Sequence, residues 1–147
     1  MHCDTSGCYH VVTDIFDIHD YIQDPEAFRK KYDRLVTDHH LEDVFEKRQT
    51  YRGEPCFVSE YGGIQWAENG EVGWGYGEGP KTKEEFLKRY QGLTDAFLDN
   101  AKIFGFCYTQ LYDIEQEIKG HYTYDRKAKF DPSVIKKINR RKAKMED

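Results

Sequence analysis

No apolar stretch in this sequence approaches the ~20 residues that a bilayer-spanning helix needs, and the N-terminus lacks the short apolar core of a secretory signal. Membrane insertion is thereby set aside, and the chain reads as soluble and, by default, cytoplasmic. Basic excess is missing as well: 22 Lys+Arg stand against 27 Asp+Glu, a formal net charge of −5. A dedicated nucleic-acid binder normally presents a clustered basic face. The one basic run here, residues 136–144, alternates enough to be the solvated side of a C-terminal helix. Cysteine is sparse, with 4 in 147 residues, and nothing demands an oxidising compartment. His2, Cys3, Cys8 and His10 do crowd the N-terminus as a nominal zinc set. The gap between the cysteines is wide and the histidines flank rather than follow them, so ordinary reduced cysteines and no metal are expected. Cys56 and Cys107 fall inside apolar runs, where cysteine behaves as a small buried hydrophobe.

What is present is a strand followed by a helix, repeated. Residues 11–21 alternate around Ile15, Phe16 and Ile18 and read as a strand ending in polar groups. Asp24-Pro25-Glu26 then supplies an N-cap, a proline at the first helical position and a first-turn acid. The helix expected over 25–35 puts Phe28, Tyr32 and Leu35 on one face. A short second helix is expected over 40–47. After the turn signal Arg52-Gly53-Glu54-Pro55, residues 56–61 form an apolar run that ends abruptly in a charge. A Gly- and Trp-rich loop over 64–80 follows. The capping box Thr82-x-x-Glu85 opens a helix to about residue 100, and a third apolar run spans 103–111. A loop through Gly120 leads to Asp131-Pro132, which opens a last helix to about residue 144. Three strand–helix units predict a parallel sheet with helices packed outside. Part of a (β/α)8 barrel and a doubly wound sheet both fit that pattern. In either, reactive residues gather at the C-terminal strand ends.

The sharpest local constellation is Phe57-Val58-Ser59-Glu60-Tyr61-Gly62-Gly63. A carboxylate at the end of a buried strand, beside a Gly pair that admits close neighbours, is how a fixed nucleophile is presented: rigid behind, accessible in front. Spacing alone favours a plainer role for Glu60, a strand-end charge paired with Lys or Arg.

The same residues carry a family resemblance. Phe57-Val58 before Ser59-Glu60-Tyr61-Gly62-Gly63, then Gly73-Trp74-Gly75-Tyr76-Gly77 and Glu84-Glu85-Phe86-Leu87, resemble the seventh strand, loop and helix of family 2 glycoside hydrolases, which include β-galactosidases and β-glucuronidases. Residues 105–117 (GFCYTQLYDIEQE), with Gly120 and residues 122–126, resemble the eighth strand and its loop. Residues 13–21 resemble the sixth. The resemblance covers nearly the whole chain as one partial catalytic domain, and implies an α/β fold comprising about strands six to eight of a TIM (β/α)8 barrel. Strands one to five and the family's N-terminal β-domains have no counterpart here.

For chemistry, the resemblance implies a retaining glycosidase in which Glu60 attacks the anomeric carbon and a second carboxyl group protonates the leaving oxygen. That acid/base lies in an Asn-Glu pair in the family, whereas Asn69 here precedes Gly70. The isolated chain is therefore expected to be incomplete, with the rest of the barrel or a second copy as partner and a β-glycoside as substrate. No cofactor is implied. His19 and Tyr21 are expected near the nucleophile, where a hydrogen bond would orient its carboxylate; a strand-end cluster satisfied by Asp17 and Asp20 is the alternative. Tyr108 stands where many relatives carry a Trp sugar platform, with core packing as the other reading. Gln110, Asp113 and Glu115 are candidate hydroxyl binders. Trp66 and Trp74 are either sugar-stacking rings or staples of a long loop. A non-catalytic carbohydrate-binding or assembly module of the same fold is the rival reading.

Overall fold

The computed structural model describes residues 1–42, 45–68, 70 and 73–147. Its elements run β1 (Phe16–Asp20), α1 (Pro25–Thr37), β2 (Cys56–Gly62), α2 (Lys83–Leu98), β3 (Ile103–Thr109) and α3 (Pro132–Asn139). The strands form one sheet in the order β1-β2-β3, and both pairings are parallel. Strand–helix alternation predicts this topology, because parallel neighbours need a crossover long enough to hold a helix.

Helix starts follow their caps. Asp24 accepts from Ala27 N–H, Thr82 from Glu85 N–H and Asp131 from Ser133 N–H. The expected reciprocal half of the capping box is displaced by one residue, since the Glu85 carboxylate takes the N–H of Lys81 at 2.7 Å. Along α1, Phe28, Tyr32 and Leu35 are buried as their spacing predicts. With Phe86, Tyr90 and Phe97 of α2 they form an aromatic layer over one face of the sheet. Tyr61 is its centre: its ring lies 4.9 Å from Phe97, 5.7 Å from Phe106 and 6.4 Å from Phe28. α3 joins the layer through Ile138 and through Asn139, which accepts from the Tyr90 hydroxyl at 2.7 Å.

Several elements are shorter than expected. β1 begins at Phe16 rather than residue 11, because Asp4 takes the N–H groups of Val11 and Val12 at 2.6 and 3.0 Å and holds them out of the sheet. α3 stops at Asn139 instead of near residue 144. No apolar residue continues its buried stripe, and Arg141 turns aside to pair with Asp95 and Asp99; a short 3-10 turn, Lys144–Glu146, follows. The helix expected over 40–47 falls partly outside the described residues, and its described end forms a turn in which Arg48 N–H donates to Phe45 O.

The residues before β1 make an arm along its free edge. Because Phe16 N–H donates to Pro55 O, Asp17 directs its backbone groups away from β2. The His10 ring nitrogen Nε2 sits 3.0 Å from Asp17 N and 2.9 Å from Asp17 O, while Nδ1 meets Asp4 at 2.7 Å. That contact with the imidazole holds the Asp4 carboxyl well below the usual carboxylate range.

Candidate active site

Strand periodicity puts residues two apart on one face, which would send Val58 and Glu60 the same way. Val58 is fully buried against the helices. Glu60 escapes because β2 carries a bulge: Ile18 pairs with Val58 and the next residue, His19, pairs with Glu60, so Ser59 is the extra residue. β3 sees the same insertion, with Val58 opposite Phe106 and Tyr61 opposite Tyr108. One added residue reverses the facing of all that follows. Tyr61 consequently enters the helical layer, while the Glu60 carboxylate turns to the face that carries His19.

Three strand ends meet there. Tyr21, just past β1, donates its hydroxyl to Glu60 Oε2, and His19 Nδ1 lies 3.5 Å from the same oxygen. Thr109, the last residue of β3, reaches the Tyr21 hydroxyl. Burial first, and then the hydrogen bond to Glu60, push the Tyr21 phenol far above its ordinary value, so it stays a protonated donor at neutral pH. Tyr76 stacks on Tyr21 with ring centroids 3.5 Å apart and an interplanar angle of 11°. Trp74 meets Tyr76 at 5.0 Å and is 44 % exposed. Beneath these two rings the Lys119 ammonium lies 4.2 and 5.0 Å from their centroids and pairs with Glu117 at 3.2 Å.

Gly62 and Gly63 make the cluster possible. Both have positive φ, +81° and +58°, and a Cβ would approach the Tyr108 ring to 2.4 Å at Gly62 and the Tyr76 ring to 2.5 Å at Gly63. The loops after β2 and β3 are laced together over the site by Trp74 N–H to Gln116 O at 2.6 Å and Ile118 N–H to Trp74 O at 3.1 Å.

The remaining candidates lie elsewhere. Tyr108 packs between Tyr90 at 5.1 Å and His121 at 4.3 Å, and its hydroxyl donates to Lys119 O at 3.1 Å. This is the packing that the core alternative describes. Asp113 is buried in an ion pair with Lys129 at 2.6 Å and also accepts Gly120 N–H; it braces the β3 loop. Trp66 packs on Phe130 at 6.2 Å with its ring N–H buried, as a loop staple would. Gln110 follows a cis Thr109–Gln110 peptide and reaches Glu117 O at 3.5 Å. Glu115 is exposed in a turn with φ of 49°. No group of His, Cys, Asp and Glu among the described residues converges as metal ligands, and Cys3 and Cys8 are exposed free thiols.

Sequence reasoning passed over Tyr76 and Lys119. The Gly73–Gly77 segment alternates glycine with an aromatic ring, so an extended backbone sets Trp74 and Tyr76 on one side; that period of two was the available signal. Lys119 gave none, because a lone lysine in a polar loop is indistinguishable from a solvated one.

Compared by sequence, the chain matches no family model and no curated protein. Compared by fold, it resembles three β-glucuronidases, each 17% identical to it. That of Faecalibacterium prausnitzii aligns over 83% of this chain and 21% of its own, with a TM-score of 0.52. The Bifidobacterium dentium enzyme, solved with coumarin-3-O-glucuronide, aligns over 86% and 21% at 0.54. The Dictyoglomus thermophilum enzyme aligns over 88% and 23% at 0.52. The chain thus has the fold of part of a β-glucuronidase and spans about a fifth of the length of these proteins. No helix among the described residues is long and apolar enough to cross a membrane.

Proposed function

We propose that this chain is part of the catalytic (β/α)8 barrel of a retaining glycosidase, about its last three strands with their helices, and that Glu60 is the nucleophile. One observation carries the reading: a bulge turns a strand-end carboxylate to the open face of the sheet, where Tyr21 donates to it and His19 flanks it. In the reaction, a Glu60 oxygen forms a bond to the anomeric carbon as the bond to the leaving oxygen breaks. That oxygen takes a proton from an acid/base carboxyl group on the rest of the barrel, roughly 5 Å from the nucleophile. Water then cleaves the glycosyl ester, giving its proton back to the same group. Tyr21 holds the attacking carboxylate in place throughout, and the Trp74–Tyr76 wall offers π-faces for the apolar side of a pyranose. The fold relatives make β-glucuronides the first sugar class to try.

The test is a 2-deoxy-2-fluoro glycoside with dinitrophenolate as leaving group, because an activated phenolate needs little protonation. We expect slow covalent labelling at Glu60, located by peptide mass spectrometry and absent in Glu60→Gln. Unactivated aryl glycosides should be cleaved no faster by the wild-type chain than by that variant, since the missing general acid is worth roughly 10²–10⁴-fold. Sugar binding with no label from glucuronyl, galactosyl or mannosyl reagents would instead favour a carbohydrate-binding module. Brisk turnover of an unactivated disaccharide would reject the division of labour.

A further inference from the structure

The arm before β1 brings a third side chain to the candidate site. Ser6 Oγ lies 3.1 Å from His19 Nε2 and 3.2 Å from Ser59 Oγ, on the opposite side of the imidazole from Glu60. Resting on the reading of Glu60 as nucleophile, we propose that Ser6 is a positioning residue: it selects the tautomer and ring orientation of His19, and through His19 the orientation of the Glu60 carboxylate.

An ionised carboxylate only accepts, so the approach of His19 Nδ1 to Glu60 at 3.5 Å is attractive only when Nδ1 carries hydrogen. A neutral imidazole then has its lone pair on Nε2, and that lone pair needs a donor. The Ser6 hydroxyl is within reach of it and supplies one. Its own oxygen is left to accept from Ser59, so the chain of donors runs Ser59, Ser6, His19, Glu60. With the hydroxyls reversed, Nε2 would hold the hydrogen and a lone pair on Nδ1 would face the carboxylate, which is repulsive.

Backbone geometry fixes the same arrangement. The arm lies flat on the imidazole: a Cβ at Gly7 (φ +66°) would stand 2.3 Å from the His19 ring. Asp17 is 1 % exposed, and its carboxylate accepts Gly7 N–H at 3.0 Å and Ser59 N–H at 3.2 Å. One buried group therefore suspends both the residue next to Ser6 and the bulge residue next to Glu60. The two serines are held to a common reference, as a hydrogen-bonded support for a reacting group has to be.

The experiment is long-range proton–nitrogen NMR of the imidazoles in the uniformly labelled full chain, with His19→Gln to assign the signals. In the wild-type chain we expect a protonated Nδ1 and an unprotonated Nε2 at His19. Ser6→Ala should shift the population toward the Nε2–H tautomer, and Ser6→Thr should restore it. Labelling of Glu60 by the dinitrophenyl fluoroglycoside should slow about tenfold or more in Ser6→Ala, at unchanged half-saturating reagent. A His19 tautomer indifferent to Ser6→Ala overturns the proposal. So does a change at His10 that accompanies it and is not rescued by threonine, because Ser6 would then merely anchor the arm. If the wild-type chain takes no label while the tautomer still follows Ser6, the nucleophile reading fails and the Ser6–His19 coupling stands.

Discussion

The two faces of β2 are built on different principles. Toward the helices, Val58 and Tyr61 are fully buried among rings that satisfy one another by contact. Toward the open side, Ser59 and Glu60 are half-buried and satisfied by hydrogen bonds that come from other strands and from the arm. The helical face makes the sheet stable, and a polar group left without a partner there is costly. The open face contributes little to stability but sets directions. A single inserted residue, Ser59, separates the two, so stability and geometry can be perturbed independently.

Matched substitutions on the two sides should show the largest effect. Phe97→Ala removes a ring packed against Tyr61, Tyr32 and Phe28 and should cost about 3–5 kcal/mol. Glu60→Gln should cost about 1 kcal/mol or less while abolishing the covalent label. Equal costs would erase the distinction between the faces.

The effect that is smallest at neutral pH comes from His121, a buried imidazole on the helical side. His121 is buried among Tyr90, Phe86 and Phe130, and neither of its ring nitrogens has a hydrogen-bond partner among the described residues. Burial, and then the Lys129 charge, lower its pKa from the ordinary 6.5 to about 4. Between those two values the unfolded chain holds a proton that the folded chain refuses, so stability falls as pH falls through that window. The accumulated loss is about 3 kcal/mol below the lower value. It is full there and absent near neutrality. Thermal melts between pH 7 and 4 should show an acid limb that His121→Phe flattens; an unchanged limb would place the proton elsewhere.

Much of this was legible in the sequence because it is local. Caps and apolar spacing identify α1, α2 and the start of α3. The abrupt end of the second apolar run marks Glu60, and polar strand ends bring Tyr21 and His19 beside it. What was illegible depends on neighbours distant in sequence. Residues 11–15 have a strand's alternation, yet Asp4 holds Val11 and Val12 off the sheet. Asp113 and Tyr108 have the residue types of a sugar site, but Lys129 and His121 draw them into the packing. The bulge is likewise invisible, since Val58-Ser59-Glu60-Tyr61 shows no period until the pairing partners are known.

The His10 imidazole on the free edge of β1 has a kinetic consequence. At Asp17 the ring already occupies the backbone positions that an incoming strand would pair with. Strand addition at this edge is therefore a displacement: the entering backbone must first expel a side chain that Asp4 grips from behind. An open edge nucleates pairing on first encounter. This one responds only to a partner able to compete with its own occupant, so association here is governed by the lifetime of the arm's attachment as much as by collision.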